Sequence, residues 1–280
     1  MLLAGRQYFR EIQENNQTVV DSAHTGDILA LHPAHDHIRG ALHGPGGHGS
    51  MPVCGGAMAG LARFLQQVDR SRLPVHITPP ARLMFKSMAS ALGGISGLVL
   101  GQLANPILTE RVLTVLGGRG QLFKSLVHHT VSPTILVGSS KINVIPCEVS
   151  VELDCRLLPG FKPDDIMREI HHIAGETVEL EVVKYDPGPP ETDMGLFGTL
   201  ADILKEGDPD GTPVPLLLGA VTDGRFFARL GIQTYGYTPM CLPEGFNFNQ
   251  VIHAANERIP VKAVEFGANA IYRALQRFGG

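Results

Sequence analysis

A histidine set in a glycine loop is the first feature of this sequence that could do chemistry. His48 lies in the segment Gly44-Pro45-Gly46-Gly47-His48-Gly49-Ser50, where it has no bulky neighbours and can reach a ligand. The loop also contains the spacing G-x-G-x-x-G, which in dinucleotide-binding proteins opens a helix and cradles pyrophosphate. Here Met51-Pro52 interrupts the required helix start, and Asp69 falls near the end of a helix instead of a strand. A nucleotide site is therefore disfavoured, and an ordinary tight turn is the alternative to a functional loop.

Two further segments place polar side chains where ligands often bind. Thr222-Asp223-Gly224-Arg225 follows the apolar segment 216–218, which we interpret as a short buried strand. Ligands of α/β layers bind beyond the carboxyl ends of strands. The alternative is a turn with a surface ion pair. His253 follows an irregular segment and by itself is a loop histidine.

Histidines are concentrated near the start of the chain, since six of the twelve lie between residues 24 and 48. Imidazole is a good zinc ligand, but the spacing matches no known ligand motif, and a polar loop is the alternative. In His35-Asp36-His37 the neighbouring side chains of a strand point to opposite faces, so these residues cannot readily chelate one ion.

Composition excludes several classes of protein. The chain has 280 residues, with 44 % apolar residues, 18 % charged residues and a net charge of −4. This balance argues against wholesale disorder and against nucleic acid as a partner. The four cysteines form no C-x-x-C pair, which argues against a zinc ribbon.

Neither a membrane span nor a secretory leader is expected. Segment 87–109 carries no charge, but glycines, Gln102, Asn105 and Pro106 interrupt it, so we interpret it as a buried or interfacial helix. No apolar run follows Arg6, and we therefore expect a cytoplasmic protein.

The periodicity of the chain predicts the elements that position these residues. Apolar and polar residues alternate over 148–156, which is typical of a strand with one buried face. Residues 38–185 give the order strand, helix, helical insertion (74–130), two strands, helix, strand, which is the pattern of a ferredoxin-like module. Beyond the boundary Asp186-Pro187-Gly188-Pro189-Pro190, alternating strands and helices predict part of an α/β layer.

Taken in order, the motifs resemble one known family. They are the His48 loop, Asn143-Val144-Ile145-Pro146, Asp154-Cys155-Arg156 with Pro159-Gly160, Thr222-Asp223-Gly224-Arg225-Phe226 and His253-Ala254-Ala255-Asn256-Glu257-Arg258. Their order is similar to that of the dinuclear-zinc metallopeptidases that include aminoacylases, carboxypeptidase S, glutamate carboxypeptidase and succinyl-diaminopimelate desuccinylase. The long insertion is most similar to that of the carboxypeptidase S branch.

The resemblance implies an α/β catalytic domain interrupted by a ferredoxin-like lid that forms a homodimer. Residues 1–37 would be a remnant of the catalytic domain, 38–187 the lid and 188–280 the C-terminal part of the catalytic domain. His253 would be a zinc ligand, and Asp21 matches the acidic ligand that precedes the lid.

The resemblance also implies roles at the substrate. His48 would reach into the partner's site and polarise the scissile carbonyl. Asn143 and Arg156 would hold the free carboxylate of the substrate, and Thr222, Asp223 and Arg225 would line its pocket. The expected activity is zinc-dependent hydrolysis of amide bonds in N-acyl amino acids or short peptides, because bound zinc supplies hydroxide at neutral pH.

The sequence departs from the family pattern at the first catalytic segment. The family's His-x-Asp motif and bridging Asp have no match, and no Glu-Glu dipeptide occurs in the chain. We therefore expect this chain to lack most zinc ligands and to be truncated, with its activity in doubt. The alternative function is a non-catalytic dimerisation or ligand-binding module derived from the same family.

Overall fold

The computed structural model describes residues 2–3, 24–31, 34–188, 194–217, 222–243, 245–246, 248–252 and 254–278. The chain divides into two compact units. Unit 1 comprises Met1–His32, Ile77–Leu126 and Glu191–Gly280, and unit 2 comprises Pro33–His76 and Val127–Pro190.

The described strands are, in chain order, β1 Leu2–Leu3, β2 His24–Leu31, β3 Ala34–His43, β4 Gly47–His48, β5 Thr130–Val137, β6 Val144–Ile145, β7 Glu148–Leu157, β8 Glu179–Asp186, β9 Pro213–Val214, β10 Leu216–Leu217 and β11 Gly236–Cys241. The described α-helices are α1 Ala57–Arg70, α2 Pro79–Leu92, α3 Gly94–Gly101, α4 Thr109–Leu116, α5 Gln121–Val127, α6 Pro163–Ala174, α7 Phe197–Gly207, α8 Gly224–Ala228, α9 Phe248–Val251 and α10 Val261–Phe278. None of these described helices is long and apolar enough to cross a membrane.

Unit 2 is an antiparallel sheet with the strand order β5-β7-β3-β8. The order of its main elements, β3, α1, β5, β7, α6 and β8, confirms the predicted ferredoxin-like pattern. Ile38, Leu153, Leu157, Ile166 and Ile170 are fully buried between the sheet and its helices. The alternation that predicted β7 also orients it, because its odd-numbered residues face this core and its even-numbered polar residues face the open side.

Helix α6 shows how local sequence fixes an element of this unit. Pro163 occupies its first turn, and the carboxylate of Asp165 accepts a hydrogen bond from the Lys162 N–H at 2.8 Å. Ile166 and Ile170, one turn apart, turn one face into the core. The helix ends at Gly175, whose φ of 78° suits glycine.

Unit 1 contains a five-stranded sheet in which β2 pairs with β1, β10 and β11. The helices of the predicted insertion belong to this unit, although the sequence placed residues 74–130 within the lid. The reason is a set of contacts distant in sequence: the sulfur of Met84 on α2 accepts a hydrogen bond from the Leu217 N–H at 3.4 Å. Helix α10 is joined to α7 by Arg273 and Arg277, which donate to Glu206 at 2.7–3.1 Å.

A buried carboxyl group sits within the core of unit 2. Asp36 on β3 is 0 % exposed, and neither of its carboxylate oxygens has a hydrogen-bond partner among the described residues. Its neighbours across the sheet are Cys155 and Tyr185. Burial raises the pKa of Asp36 to about 7, because the ionised form loses its hydration without gaining a partner.

We predict that Asp36→Asn removes a pH-dependent loss of stability. The unfolded chain releases this proton near pH 4, and the folded chain near pH 7, so wild-type stability falls as pH rises between these values. Above pH 7 the variant should be more stable by about 2–4 kcal/mol, with little difference near pH 4. Urea unfolding at pH 4.5 and pH 8 measures both values, with Asp69→Asn, an exposed carboxyl of the same unit, as control. Equal destabilisation at both pH values would contradict the prediction.

Candidate functional site

His48 lies at the tip of a two-stranded ribbon that extends from unit 2. Gly47 and His48 of β4 pair with Ile145 and Val144 of β6. Glycine is needed at position 44, at the start of this loop, because a Cβ atom there would lie 2.5 Å from the backbone nitrogen of Ala57. His48 is exposed, which agrees both with a histidine that reaches a ligand and with the alternative of an ordinary turn.

The local hydrogen bonds of His48 fix which nitrogen carries its proton. The Ser50 N–H donates to His48 Nδ1 at 3.2 Å, and the Ser50 hydroxyl lies 2.8 Å from the same atom. Because Nδ1 accepts, the neutral ring carries its proton on Nε2. His48 therefore presents an exposed N–H donor, as polarisation of a carbonyl requires.

Asn143 lies beside His48. The Gly49 N–H donates to the backbone carbonyl of Asn143 at 2.8 Å, directly beyond the pair formed by His48 and Val144. The structure thus brings together two predicted site residues that are 95 positions apart in the sequence.

Arg156 lies on the open face of the sheet and is paired with a neighbour on its own strand. Its Nε and Nη2 donate to the two carboxylate oxygens of Asp154 at 2.8 and 2.9 Å. His35 is the residue opposite Arg156 on β3, and its Nε2 lies 3.5 Å from Asp154 Oδ1.

The structure separates Arg156 from Asn143. The β3–β7 ladder runs from His35 opposite Arg156 to His43 opposite Glu148, and Asn143 lies beyond the second end. Eight residues of strand span about 26 Å. The predicted pair therefore cannot hold one carboxylate within a single chain, because an extended strand carries them to opposite ends of the sheet.

The remaining predicted site residues belong to unit 1. Thr222 and Asp223 precede the short helix α8, and their carbonyls accept from the N–H groups of Arg225 and Phe226 at 3.3 and 2.9 Å. The guanidinium of Arg225 lies 4.6 Å from the centre of the Phe226 ring. Asp21 and His253 lie outside the described residues.

Unit 2 also contains a cluster of titratable side chains that was not predicted from the sequence. His76 Nε2 lies 2.6 Å from Glu169 Oε1, and His129 Nε2 lies 3.8 Å from the same oxygen. Phe161 packs against both imidazole rings at 4.6 and 4.7 Å. Its members come from three distant segments, so no local spacing could have revealed it.

This His76–His129–Glu169 group is the one set of three metal-binding side chains found among the described residues. Its hydrogen bonds do not fit zinc, because the Leu158 N–H donates to His129 Nδ1 at 3.1 Å. The neutral ring then carries its proton on Nε2, the nitrogen that faces Glu169 and that a metal would need. Burial and the nearby His76 lower the pKa of His129 to about 4, and burial raises that of Glu169. Within the group only His76 and Glu169 are hydrogen-bonded to each other, and His129 Nε2 and Glu169 Oε2 have no hydrogen-bond partner among the described residues.

Comparisons with known proteins agree with the geometry of unit 2. The model of the peptidase dimerisation domain of the M20 family matches residues 36–180, just over half of the chain. Human N-fatty-acyl-amino acid synthase/hydrolase PM20D1 is 25 % identical over 238 residues, which cover 82 % of this chain and 46 % of that protein. A probable carboxypeptidase S-like 2 of Dictyostelium discoideum is 25 % identical over 221 residues, which cover 78 % of this chain and 41 % of the relative.

A solved structure has the same fold. The di-peptidase Dug1p of Saccharomyces cerevisiae superimposes with a TM-score of 0.51 at 13 % identity, covering 90 % of this chain and 56 % of the other. The chain spans about half the length of the curated relatives it matches. The match over residues 36–180, which is more than half of the chain, establishes that this chain belongs to the M20 peptidase family and contains its dimerisation domain.

Proposed function

We propose that this chain acts in metal-dependent hydrolysis of amide bonds in N-acyl amino acids or short peptides with a free carboxylate. The observation that carries the proposal is His48, an exposed imidazole whose Nε2–H is held as a donor by Ser50. Such a donor stabilises the negative charge that develops on an amide oxygen during attack. The human relative is an N-fatty-acyl-amino acid synthase/hydrolase, which supports this substrate class.

Arg156 supplies recognition of the carboxylate in this proposal. A guanidinium donates two parallel hydrogen bonds to a carboxylate, which favours acids over neutral amides. Thr222, Asp223 and Arg225 line the pocket of the substrate. Exposed free thiols at Cys54 and Cys147 suit a reducing compartment, and we propose a cytoplasmic location.

The separation of the two ends of the β3–β7 ladder has a direct consequence for the site. About 26 Å of strand separates Arg156 from the end that carries His48 and Asn143. The residues at both ends of one chain therefore cannot contact the same small substrate. We propose that Arg156 of one chain and His48 with Asn143 of a second copy serve the same site.

The edge strand β5 is the surface best suited to join the two copies. Ile135, Leu136 and Val137 are 57, 56 and 54 % exposed, and the strand contains no charged residue. The opposite edge, β8, carries charged side chains at four of its eight positions, which protects it from pairing with another chain. The unprotected apolar edge therefore favours a homodimer formed through β5.

We predict that Leu136→Lys converts the dimer to a monomer. A lysine in the middle of the joined edges would bring two like charges together in an apolar interface. Val183→Lys places the same charge on β8, where Val183 is 40 % exposed, and should leave the dimer intact. Sedimentation velocity distinguishes the two states, and dissociation by both variants or by neither would contradict the assignment of β5.

Hydrolysis of an N-acetyl amino acid and of its carboxamide, measured with added zinc, tests the function. Wild type should prefer the acid, and Arg156→Ala should lose that preference. His48→Ala should lower kcat by about 10²–10³, the usual effect of removing one donor to an oxyanion. Carboxylate-dependent binding without any hydrolysis would instead support a non-catalytic ligand-binding module.

Mixing the His48→Ala and Arg156→Ala variants, with hydrolysis of the N-acetyl amino acid as the readout, tests whether two chains share each site. A mixed dimer of His48→Ala and Arg156→Ala chains has one site with both residues intact and one with neither. Random pairing should therefore restore about one quarter of wild-type activity. No recovery on mixing would contradict the shared site.

Measurements of zinc binding test which of two sets of residues holds zinc: the ligands implied by the family resemblance or the cluster found in unit 2. We propose that His253 and Asp21 bind zinc, and the protonated Nε2 of His129 argues against the His76–His129–Glu169 group. His253→Ala should therefore reduce the zinc retained after equilibrium dialysis, whereas Glu169→Gln should retain it. The opposite pattern would assign zinc to the cluster of unit 2.

A further inference from the structure

The pairing of Arg156 with Asp154 follows from strand geometry. The two residues are two positions apart on β7, so both side chains project from the open face. Asp154 accepts from Nε at 2.8 Å and from Nη2 at 2.9 Å, which occupies the side edge of the guanidinium. About a third of each side chain is exposed, so the pair is within reach of a ligand.

One edge of the guanidinium remains available. Nη1 donates to no residue in the described part of the chain, and each Nη nitrogen carries two N–H groups. The outer edge therefore offers one N–H from each nitrogen, side by side, which matches the two oxygens of a carboxylate. A ligand can bind this edge without displacing Asp154.

Asp154 also has a neighbour on the adjacent strand. His35 lies opposite Arg156 on β3, and its Nε2 lies 3.5 Å from Asp154 Oδ1. The next carboxylate along β7, Glu152, is occupied by His37 and Arg39 at 2.7 and 2.9 Å. Arg156 thus has Asp154 as its own carboxylate partner.

We propose that Asp154 is a positioning residue, which holds the outer edge of Arg156 in the orientation that selects substrates with a free carboxylate. The proposal rests on the carboxylate-binding role proposed for Arg156. A long, partly exposed guanidinium would otherwise sample many rotamers, and fixing one before the ligand arrives removes that entropic cost from binding. The negative charge of Asp154 acts against the ligand, but solvent screens it at this exposed position.

The test compares the affinities of N-acetyl-leucine and N-acetyl-leucinamide by titration calorimetry. Asp154→Asn leaves one acceptor and places an amide NH₂ donor opposite the Nη2 donor of Arg156. The guanidinium is then less firmly held, so the preference for the acid should fall about fivefold or more. Asp154→Glu, which keeps both acceptors, should restore most of the preference. Glu148→Gln is the matched control, because it removes one carboxylate from the same strand and face near its other end.

The outcomes separate this inference from the function on which it rests. If Arg156→Ala removes the preference for the acid and Asp154→Asn retains or increases it, Asp154 is not a positioning residue, and the role of Arg156 stands. If Arg156→Ala keeps the wild-type preference, both proposals fail. Damage to the fold alone would weaken the acid and the amide equally, and equal weakening in Asp154→Asn would also overturn the inference.

Discussion

The antiparallel pairing of β3 with β7 is the constraint on which the rest of unit 2 depends. Ten residue pairs join the two strands, and both strands are internal to the sheet. Each strand turns alternate residues to the helices and to the open face, so a single register decides which side chains are buried. The same ladder continues into the ribbon that carries His48. One element therefore fixes the hydrophobic core, the open polar face and the distance between the two ends.

The open face is organised by shared carboxylates. Glu152 accepts from both His37 and Arg39 across the β3–β7 pair. Burial acts to raise the pKa of Glu152, but the hydrogen bonds from Arg39 and His37 outweigh it and lower the value overall. Asp154, two residues further along β7, accepts hydrogen bonds from Arg156 in the same way. On the opposite face Asp36 has no such partner, and its pKa moves in the other direction. Within one sheet, cationic partners lower the pKa of one carboxyl group, and burial without such a partner raises the pKa of another.

Much of unit 2 could be predicted from the sequence because its signals are local. The alternation along β7, the proline start of α6 and the glycines around His48 each specify their own element. Contacts between distant segments were not predictable in this way. The packing of α2 on β10 assigns the helical insertion to unit 1, and the His76–His129–Glu169 group combines three separated segments. Closeness in sequence was also misleading for Arg156 and Asn143. They are only 13 residues apart, but an extended strand keeps them at opposite ends of the sheet.

The site that we propose gives the dimerisation domain a part in substrate recognition as well. If a donor such as His48 and a guanidinium such as Arg156 were at one end, a single chain would suffice and dimerisation would be incidental. With about 26 Å between them, the proposed site requires each end to lie beside the complementary end of another copy. The apolar edge strand β5 and the two polar ends are then parts of one arrangement. In the proposed site, disruption of the apolar edge would separate His48 of one copy from Arg156 of the other, even though neither side chain had changed.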